Sequence, residues 1–572
     1  MNSLVTVPAV LVFTAAALAQ YDPPPGYYST ATGTGATLRA QLRAIIGRNY
    51  WVPGSVSHQV RSYDNARLAL PILSRDPNDP SRVINIYSGV STPAVWDAGI
   101  TWNREHTWPD SRGLGGNGPD YTDLHQLRPC NPSVNSSRNN DPFGVGGGAY
   151  WDPQPSTNSY FNGVGNGVYV PGTNDRGEMA RAMMYMDVRY DGTDPQTTDL
   201  VLVNGFPSGN QMGDLAQLLA WHYEDPVNNT ERERNFLVFD NVANPLYYQG
   251  NRNPFVDRPE FVWAIFGTSP NNSTLYVGGA PAPDGSSSAS VIFRVIQGFP
   301  ASSQIITLNK SGTTPTTFNA TFTGPFSVAG AGAGRAFPYN PGSTNFTIAP
   351  LSTATIGNFF GILTIDNTDL TSAAPGSGSA DADDLVTLYS DVLTPSNPSL
   401  NSGTDVNLGT VSSTFAPNTG THTIAVAVHN LAFSTTTALM DIDSIAGGAT
   451  PFSVVSGATT GVGAAPALVT FAFDTNAASP GLHSATFIID TSDEDIPGET
   501  QDAVAVIWDV TIAAPPACEG DANGDLLIDF ADITTVLANW GHGAGPGDVN
   551  TSGQVDFGDI TTVLAHWGDH CR

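Results

Sequence analysis

The chain changes character after Gly267, and this constrains what it can fold into more than any single motif does. Residues 1–270 hold 18 of the 22 basic residues, all of them arginine, whereas residues 271–572 hold only Arg294, Lys310, Arg335 and Arg572 against 27 acidic residues. The front is thus near charge balance at −7 and the rear strongly acidic at −23. At 572 residues the chain is too long for one hydrophobic core, and about four folding units of roughly 150 residues are expected.

A formal net charge of −30 argues by itself against a nucleic-acid partner, because phosphate binding is driven largely by Lys and Arg. The distribution reverses that argument. Arginine offers a planar fork suited to phosphate, so the pattern reads as an active module joined to a solvating one. A genome that prefers Arg to Lys gives the same bias for a different reason. Charged residues are 13% and hydrophobic residues 40%, with 59 Gly and 43 Pro. That balance suits turn-rich, strand-rich domains and excludes a coiled coil, a collagen-like chain or wholesale disorder.

Residues 1–19 form an uncharged apolar run ending in Ala17-Leu18-Ala19, which predicts a signal peptide cleaved before Gln20. The n-region lacks Lys and Arg. A secreted, extracellular or cell-surface protein is expected, with no membrane span after cleavage. In that oxidising compartment Cys518 and Cys571, which bracket a compact segment, are expected to pair. Cys130 is then left as a buried small residue.

From about 27 to 270 the signals are mixed α+β. ATLRAQLRAIIG puts Leu38, Leu42, Ile45 and Ile46 on one helical face, and GEMARAMMYMDVRY and MGDLAQLLAWHYED repeat that spacing. RVINIYSGV alternates as a strand would, and the Gly/Asn/Pro-rich stretch around 140–175 reads as loop. After Gly267, short β runs such as SVIFRVIQ, FGILTIDNT, HTIAVAVHN and AVAVIWDVTI are separated by turn residues. They predict two all-β Ig-like sandwiches, 285–394 and 395–514, behind a linker at 271–284. Their expected role is as spacers, with adhesion as the alternative.

In the last 55 residues GDANGDLLIDFADITTVLANWG recurs 27 positions later as GDVNTSGQVDFGDITTVLAHWG. In the first copy Asp521, Asn523, Asp525, Asp529 and Asp532 occupy positions 1, 3, 5, 9 and 12 of a loop, with the Leu527 carbonyl at 7. The second copy supplies Asp548, Asn550, Ser552, Asp556 and Asp559, with the Gln554 carbonyl. Calcium needs such a set because about six to eight hard oxygens must converge on it from one short turn. Each loop leads into a helix with an apolar stripe, Ile533, Val536, Leu537, Trp540 and then Ile560, Val563, Leu564, Trp567. Residues 518–572 thus read as a small helical domain that resembles the type I dockerin family. The resemblance implies bound Ca²⁺ and a cohesin-like or cell-surface partner. It departs from the family in having Leu526, not Gly, at position 6 of the first loop.

The front half carries NREHTWPDSRG, 103–113, and then DYTDLHQLRPCNPSVNSSRNND, 120–141. Phosphodiester hydrolysis needs a water made nucleophilic and a metal that stabilises charge on the phosphate and leaving oxygen. An imidazole can supply the first, and a carboxylate with a carboxamide oxygen can hold the second. Through these blocks, and through RGEMARAMMYMDVRY, LLAWHYEDPVNNTERERN and YQGNRNPFVDRPEFVWAIFG, residues 20–270 resemble the bacterial endonuclease I family of the ββα-metal nuclease superfamily. The resemblance implies His106 as general base, Glu105 and Asn135 as ligands of Mg²⁺ (Mn²⁺ the alternative), and a transition-state arginine. For the last, Arg112, Arg128 and Arg138 are the candidates, Arg138 also as a phosphate clamp.

Neighbours on a regular strand face opposite ways, so Glu105 and His106 can share a site only if the strand ends or bulges there. His125, Trp102 and Trp108 are expected to be structural, Asn139 to cap or brace a helix, and Asp120 and Asp123 either to back the groups that touch the metal or merely to solvate a loop. The expected protein is a multidomain secreted endonuclease, largely sequence-nonspecific, cutting DNA and in second place RNA to 5′-phosphate ends. The alternative is a surface adhesin or scaffold component whose nuclease fold is inactive.

Overall fold

A computed structural model describes residues 21–33, 35–47, 58–116, 118–145, 157–160 (backbone only), 167–194, 196–368, 381–513 and 518–571. The expected signal peptide lies outside them. The chain divides into two compact units, Met1–Val291 with Ser303–Ala349 and Phe360–Leu388, and Ile292–Ser302 with Pro350–Phe359 and Tyr389–Arg572.

In the first unit, helix α1 (Gly35–Ile46) buries Leu38, Leu42, Ile45 and Ile46, the face its spacing defines. Helix α2 (Tyr63–Leu73) opens on a capping box in which the Ser62 side chain accepts from Asn65 N–H, satisfying a donor the helix cannot. The strand expected from RVINIYSGV begins earlier and ends at Ile84. Part of the stretch expected as loop is instead paired, Thr157–Tyr160 against Gly167–Val170. After α3 (Pro132–Arg138), helix α4 (Arg176–Arg189) buries nearly its whole surface, not one stripe. The charged side chains it buries, Arg181, Asp187 and Arg189, have partners, because an unpaired charge there is costly: Arg181 makes a two-pronged pair with Glu231 at 2.7 and 2.6 Å, Asp187 pairs with Arg39, and Arg189 meets Asp194 at 2.5 Å. Helix α5 (Leu215–Glu224) packs beside α4, and both contribute to one apolar cluster with α1.

The all-β part contains two regions of nine strands. In the first, one sheet has the order Thr274–Val277, Gln304–Ser311, Gly342–Pro350, Phe326–Ala329, and the other Ser288–Ile296, Asp384–Leu393, Gly357–Asn367, Thr316–Phe322, Gly332–Phe337. The second repeats this topology strand for strand, from Pro398–Ser399 to Gln501–Ile512. In the second region, Phe471 and Phe473 of the four-stranded sheet and Phe487, Val506 and Trp508 of the five-stranded one share a core. The expected linker 271–284 contains the strand Thr274–Val277, which pairs with Leu308–Ser311; its four residues are too short a run to stand out in sequence. In the tail, Cys518 is bonded to Cys571, with their Cα atoms 5.6 Å apart. Cys130 is free and buried.

Candidate active site

Strand β1 (Asn103–His106) pairs antiparallel with β2 (Leu127–Cys130), with Glu105 opposite Arg128 and His106 opposite Leu127. Helix α3 (Pro132–Arg138) follows at once. Asn131 caps it by accepting from Ser133 and Val134 N–H, and Pro132 sits in the first turn, where a missing N–H costs nothing. The register runs unbroken and β1 stops at His106. Of the two ways Glu105 and His106 could share a site, the strand end is the one observed. Asn103 and Glu105 face α3, while Arg104 and His106 face Tyr63 at the start of α2.

A cavity of about 360 Å³ opens at this strand end, lined by Arg104, Glu105, His106, Asp110, Asn135 and Asn139 among others. Glu105 is 2% exposed. Its Oε1 accepts from Tyr87 Oη at 2.9 Å and Arg138 Nη1 at 3.1 Å, while Oε2 accepts from no described residue. Burial pushes its pKa up to about 7, against the pull of Arg138. Asn135 donates Nδ2–H to Asn103 Oδ1 at 2.8 Å, which leaves its own Oδ1 uncommitted among the described residues. Glu105 and Asn135 both line the cavity, and among the described residues one carboxylate oxygen of the first and the carboxamide oxygen of the second accept no hydrogen bond; both are hard donors, a set that fits a divalent cation such as Mg²⁺.

His106 is half-buried against Tyr63, stacked at 5.3 Å and 14°, and its Nε2 lies 2.8 Å from the Tyr121 carbonyl oxygen. A carbonyl can only accept, so Nε2 carries the proton and Nδ1 is the basic nitrogen. Loss of hydration lowers the ring's pKa to about 4, so it is neutral at pH 7.

The arginines sort differently from expectation. Arg138 is fully buried; besides Glu105 it donates to the His106 carbonyl at 2.9 Å and the Thr107 carbonyl at 2.6 Å. It braces the strand end from behind; its Nη atoms are spent on these acceptors, and its Nε is buried, out of reach of a phosphate. Arg128 is buried too, spent on Glu178 at 2.7 Å and on the carbonyls of His125 and Leu127. Arg112 is half-exposed but tied through Nε to the Asn140 carbonyl at 2.8 Å and through Nη1 to Gln211 O at 3.4 Å. None of the three lines the cavity.

Asp123 is buried and accepts from Tyr185 and Tyr190 hydroxyls at 2.8 and 2.6 Å, and Asp120 holds a turn through Gly115 and Tyr121 N–H. His125, with Nε2 3.2 Å from Asn251 O, is interior, as are Trp102 and Trp108. Asn139 caps α3 at φ +50° and also borders the cavity. Sequence reasoning passed over Arg104, Asp110, Tyr63 and Tyr121. Arg104 and Asp110 lay within the motif itself; Tyr121 acts through its backbone, which no residue type signals.

In the tail, helices α6 (Phe530–Ala538) and α7 (Phe557–Ala565) each open on a capping box, Asp529 with Asp532 and Asp556 with Asp559. In the first loop, carboxylate oxygens of Asp521, Asp525 and Asp532 lie within 4.8 Å of one another. The second loop brings no such trio together among the described residues: Ser552 stands at position 5, and its hydroxyl donates to the Gln554 carbonyl at 3.1 Å. Asn523 and Asn550 each accept a backbone N–H from position 5 of their loop. The expected apolar stripe is split. Val536 and Val563 are buried with Ile528 and Val555, while Leu537, Trp540, Leu564 and Trp567 are exposed, together with Phe530 and Phe557.

Residues 34–260 match the family model described as Endonuclease I. The chain is 38% identical over 245 residues to an extracellular ribonuclease of Bacillus amyloliquefaciens, spanning 42% of this chain and 76% of that one. An extracellular ribonuclease of Bacillus subtilis is 36% identical over 261 residues, spanning 44% of this chain and 82% of its own. Among solved structures, a protein of unknown function from Porphyromonas gingivalis is 13% identical and covers 38% of this chain and 96% of its own, at a TM-score of 0.16, too slight a likeness to bear on the fold. No helix among the described residues is long and apolar enough to cross a membrane.

Proposed function

From the premise that the chain belongs to the Endonuclease I family and is a nuclease, we propose that it is a secreted, metal-dependent and largely sequence-nonspecific endonuclease that cuts DNA and RNA to 5′-phosphate ends. The observation that carries this reading is one cavity lined by His106, Glu105 and Asn135, whose Nδ1, Oε2 and Oδ1 atoms meet no hydrogen-bond partner among the described residues. Glu105 and Asn135 would hold the metal, Mg²⁺ or Mn²⁺, which supplies positive charge to the phosphate and the leaving 3′ oxygen. The Tyr121 carbonyl fixes the tautomer of His106, so that Nδ1 is the atom that takes a proton from water. The charge of an arriving phosphate raises the low pKa of that ring toward neutrality and strengthens it as a base.

Because water and not a 2′-hydroxyl is the nucleophile, the sugar need not be ribose. RNA would then be left with 5′-phosphates and not with 2′,3′-cyclic ends. The names of the ribonuclease relatives support RNA as a substrate, and that they are extracellular supports secretion. The test is the end chemistry of oligonucleotides cut with Mg²⁺. A ladder of 5′-phosphates on both sugars supports the reading, and cyclic phosphate on RNA with no DNA cleavage overturns it.

The tail is proposed as a dockerin-like calcium module. The Asp521, Asp525 and Asp532 cluster supports Ca²⁺ in its first loop. The exposed pairs Phe530 with Phe557 and Trp540 with Trp567, each 27 residues apart, support two equivalent docking faces for a cohesin-like or cell-surface protein. The two β regions are proposed as Ig-like spacers between nuclease and tail.

A further inference from the structure

We infer that Arg104 is the cation that seats the substrate's phosphodiester group beside His106. The inference rests on the nuclease reading of this cavity. Among the described residues lining it, Arg104 is the sole lysine or arginine; Arg128 and Arg138 are buried and committed elsewhere, and Arg112, held through Nε and Nη1, does not line the cavity.

Arg104 is held but not consumed. Its Nη1 donates to the Tyr63 carbonyl at 2.6 Å, and its guanidinium carbon lies 3.6 Å from the centre of the Tyr63 ring. Its side chain is 15% exposed, and the carboxylate nearest to it, Asp64 at 3.8 Å, is itself largely in water. Nε and Nη2 meet no partner among the described residues, so the edge of the fork that binds two phosphate oxygens at once is free. Position also favours it. Arg104 and His106 stand two apart on one strand and contact the same Tyr63 ring, and two residues of strand span about 7 Å. A phosphate gripped by Arg104 would therefore lie next to the imidazole that activates water. The contact reads the backbone, not the base, in keeping with weak sequence preference.

The test uses the full-length protein with Mg²⁺ and a single-stranded DNA oligonucleotide, measuring kcat/KM across a series of KCl concentrations for wild type, Arg104→Gln, Arg104→Lys and His106→Ala. Arg104→Gln is expected to lose about 10- to 100-fold in kcat/KM, the scale of one charge-assisted contact, and to lower the slope of log(kcat/KM) against log[salt] by about 0.7, one phosphate contact on a single strand. A purely structural role would not move that slope. Arg104→Lys keeps the charge but not the fork, and is expected to retain the slope while losing about tenfold in rate constant. An unchanged slope in a folded Arg104→Gln protein overturns the inference. If that variant does not fold, wild-type kcat/KM in Arg104→Lys overturns it instead. The control separates the two readings: an inactive His106→Ala with an unaffected Arg104 series removes only this inference, whereas an active His106→Ala removes the site.

Discussion

His106 Nε2 sits 2.8 Å from the carbonyl oxygen of Tyr121, fifteen residues along the chain. The loop that joins the two strands of the site thereby sets the tautomer of the residue that ends the first of them. Nothing in the identity of Tyr121 matters to this bond. Tyr121→Phe is accordingly expected to keep wild-type activity within about twofold in a nicking assay, since it preserves both the ring that leans on His106 at 4.4 Å and the backbone carbonyl. A loss of a hundredfold would mean that the hydroxyl takes part in the chemistry.

Glu105→Gln tests Glu105 as a metal ligand. The amide oxygen can still accept from Tyr87 and Arg138, but the charge is gone and the buried Arg138 guanidinium loses its counter-charge, so a drop in stability is expected as well. Mg²⁺ affinity of the folded variant by calorimetry is expected to fall at least tenfold and activity with it. Unaltered metal affinity would exclude Glu105 as a ligand.

Arg138 behaves oppositely. It is fully buried and ties Glu105 to the His106 and Thr107 carbonyls, so Arg138→Ala leaves an uncompensated carboxylate and two unmet acceptors. A stability loss of about 3–5 kcal/mol in urea unfolding is expected. Full stability with lost activity would return Arg138 to the list of groups acting on substrate.

Which parts of this were legible in sequence follows a physical line. The residue types of Glu105, His106 and Asn135, and a spacing that two strands and a helix would fill, could be read because that chemistry demands particular atoms. The direction of an arginine could not. Arg128 and Arg138 look like Arg104 on paper, and only the packing of α3 and β2 sends them inward. Likewise the shared topology of the two β regions leaves no sequence repeat, since many side chains can satisfy one alternating inward face. The all-round burial of α4 was hidden because its charges, Arg181, Asp187 and Arg189, imitate a solvent face while pairing inside.

His125 gives a pH dependence with a definite sign. Burial lowers its pKa from 6.5 to about 4, so the fold favours the neutral ring. As pH falls below 6.5 the unfolded chain takes the proton first, and this group's contribution, about 3 kcal/mol, is lost progressively between 6.5 and 4. Glu105, pushed up to about 7, acts in the other sense over this range. The informative quantity is therefore the difference in slope between wild type and His125→Asn: melting temperature against pH should fall less steeply in the variant. Parallel curves would contradict the assignment.

In the tail, Leu526 is 53% exposed and adopts φ +67°, a left-handed conformation that costs an L-residue roughly 1–2 kcal/mol. Leu526→Gly should stabilise the Ca²⁺-loaded tail by about 0.5–1 kcal/mol after the added chain entropy. Chelation with EGTA should lower the tail's melting temperature in both proteins. A tail indifferent to Ca²⁺ would argue against the metal loop.

The most direct measurement is cleavage of supercoiled plasmid and of a structureless RNA by the mature protein with Mg²⁺, with EDTA, and with His106→Ala. Cutting of both substrates that vanishes with EDTA and drops about 10²- to 10⁴-fold in a folded His106→Ala protein is the result the account predicts. Cutting that persists without metal, or in His106→Ala at the wild-type rate, would contradict it.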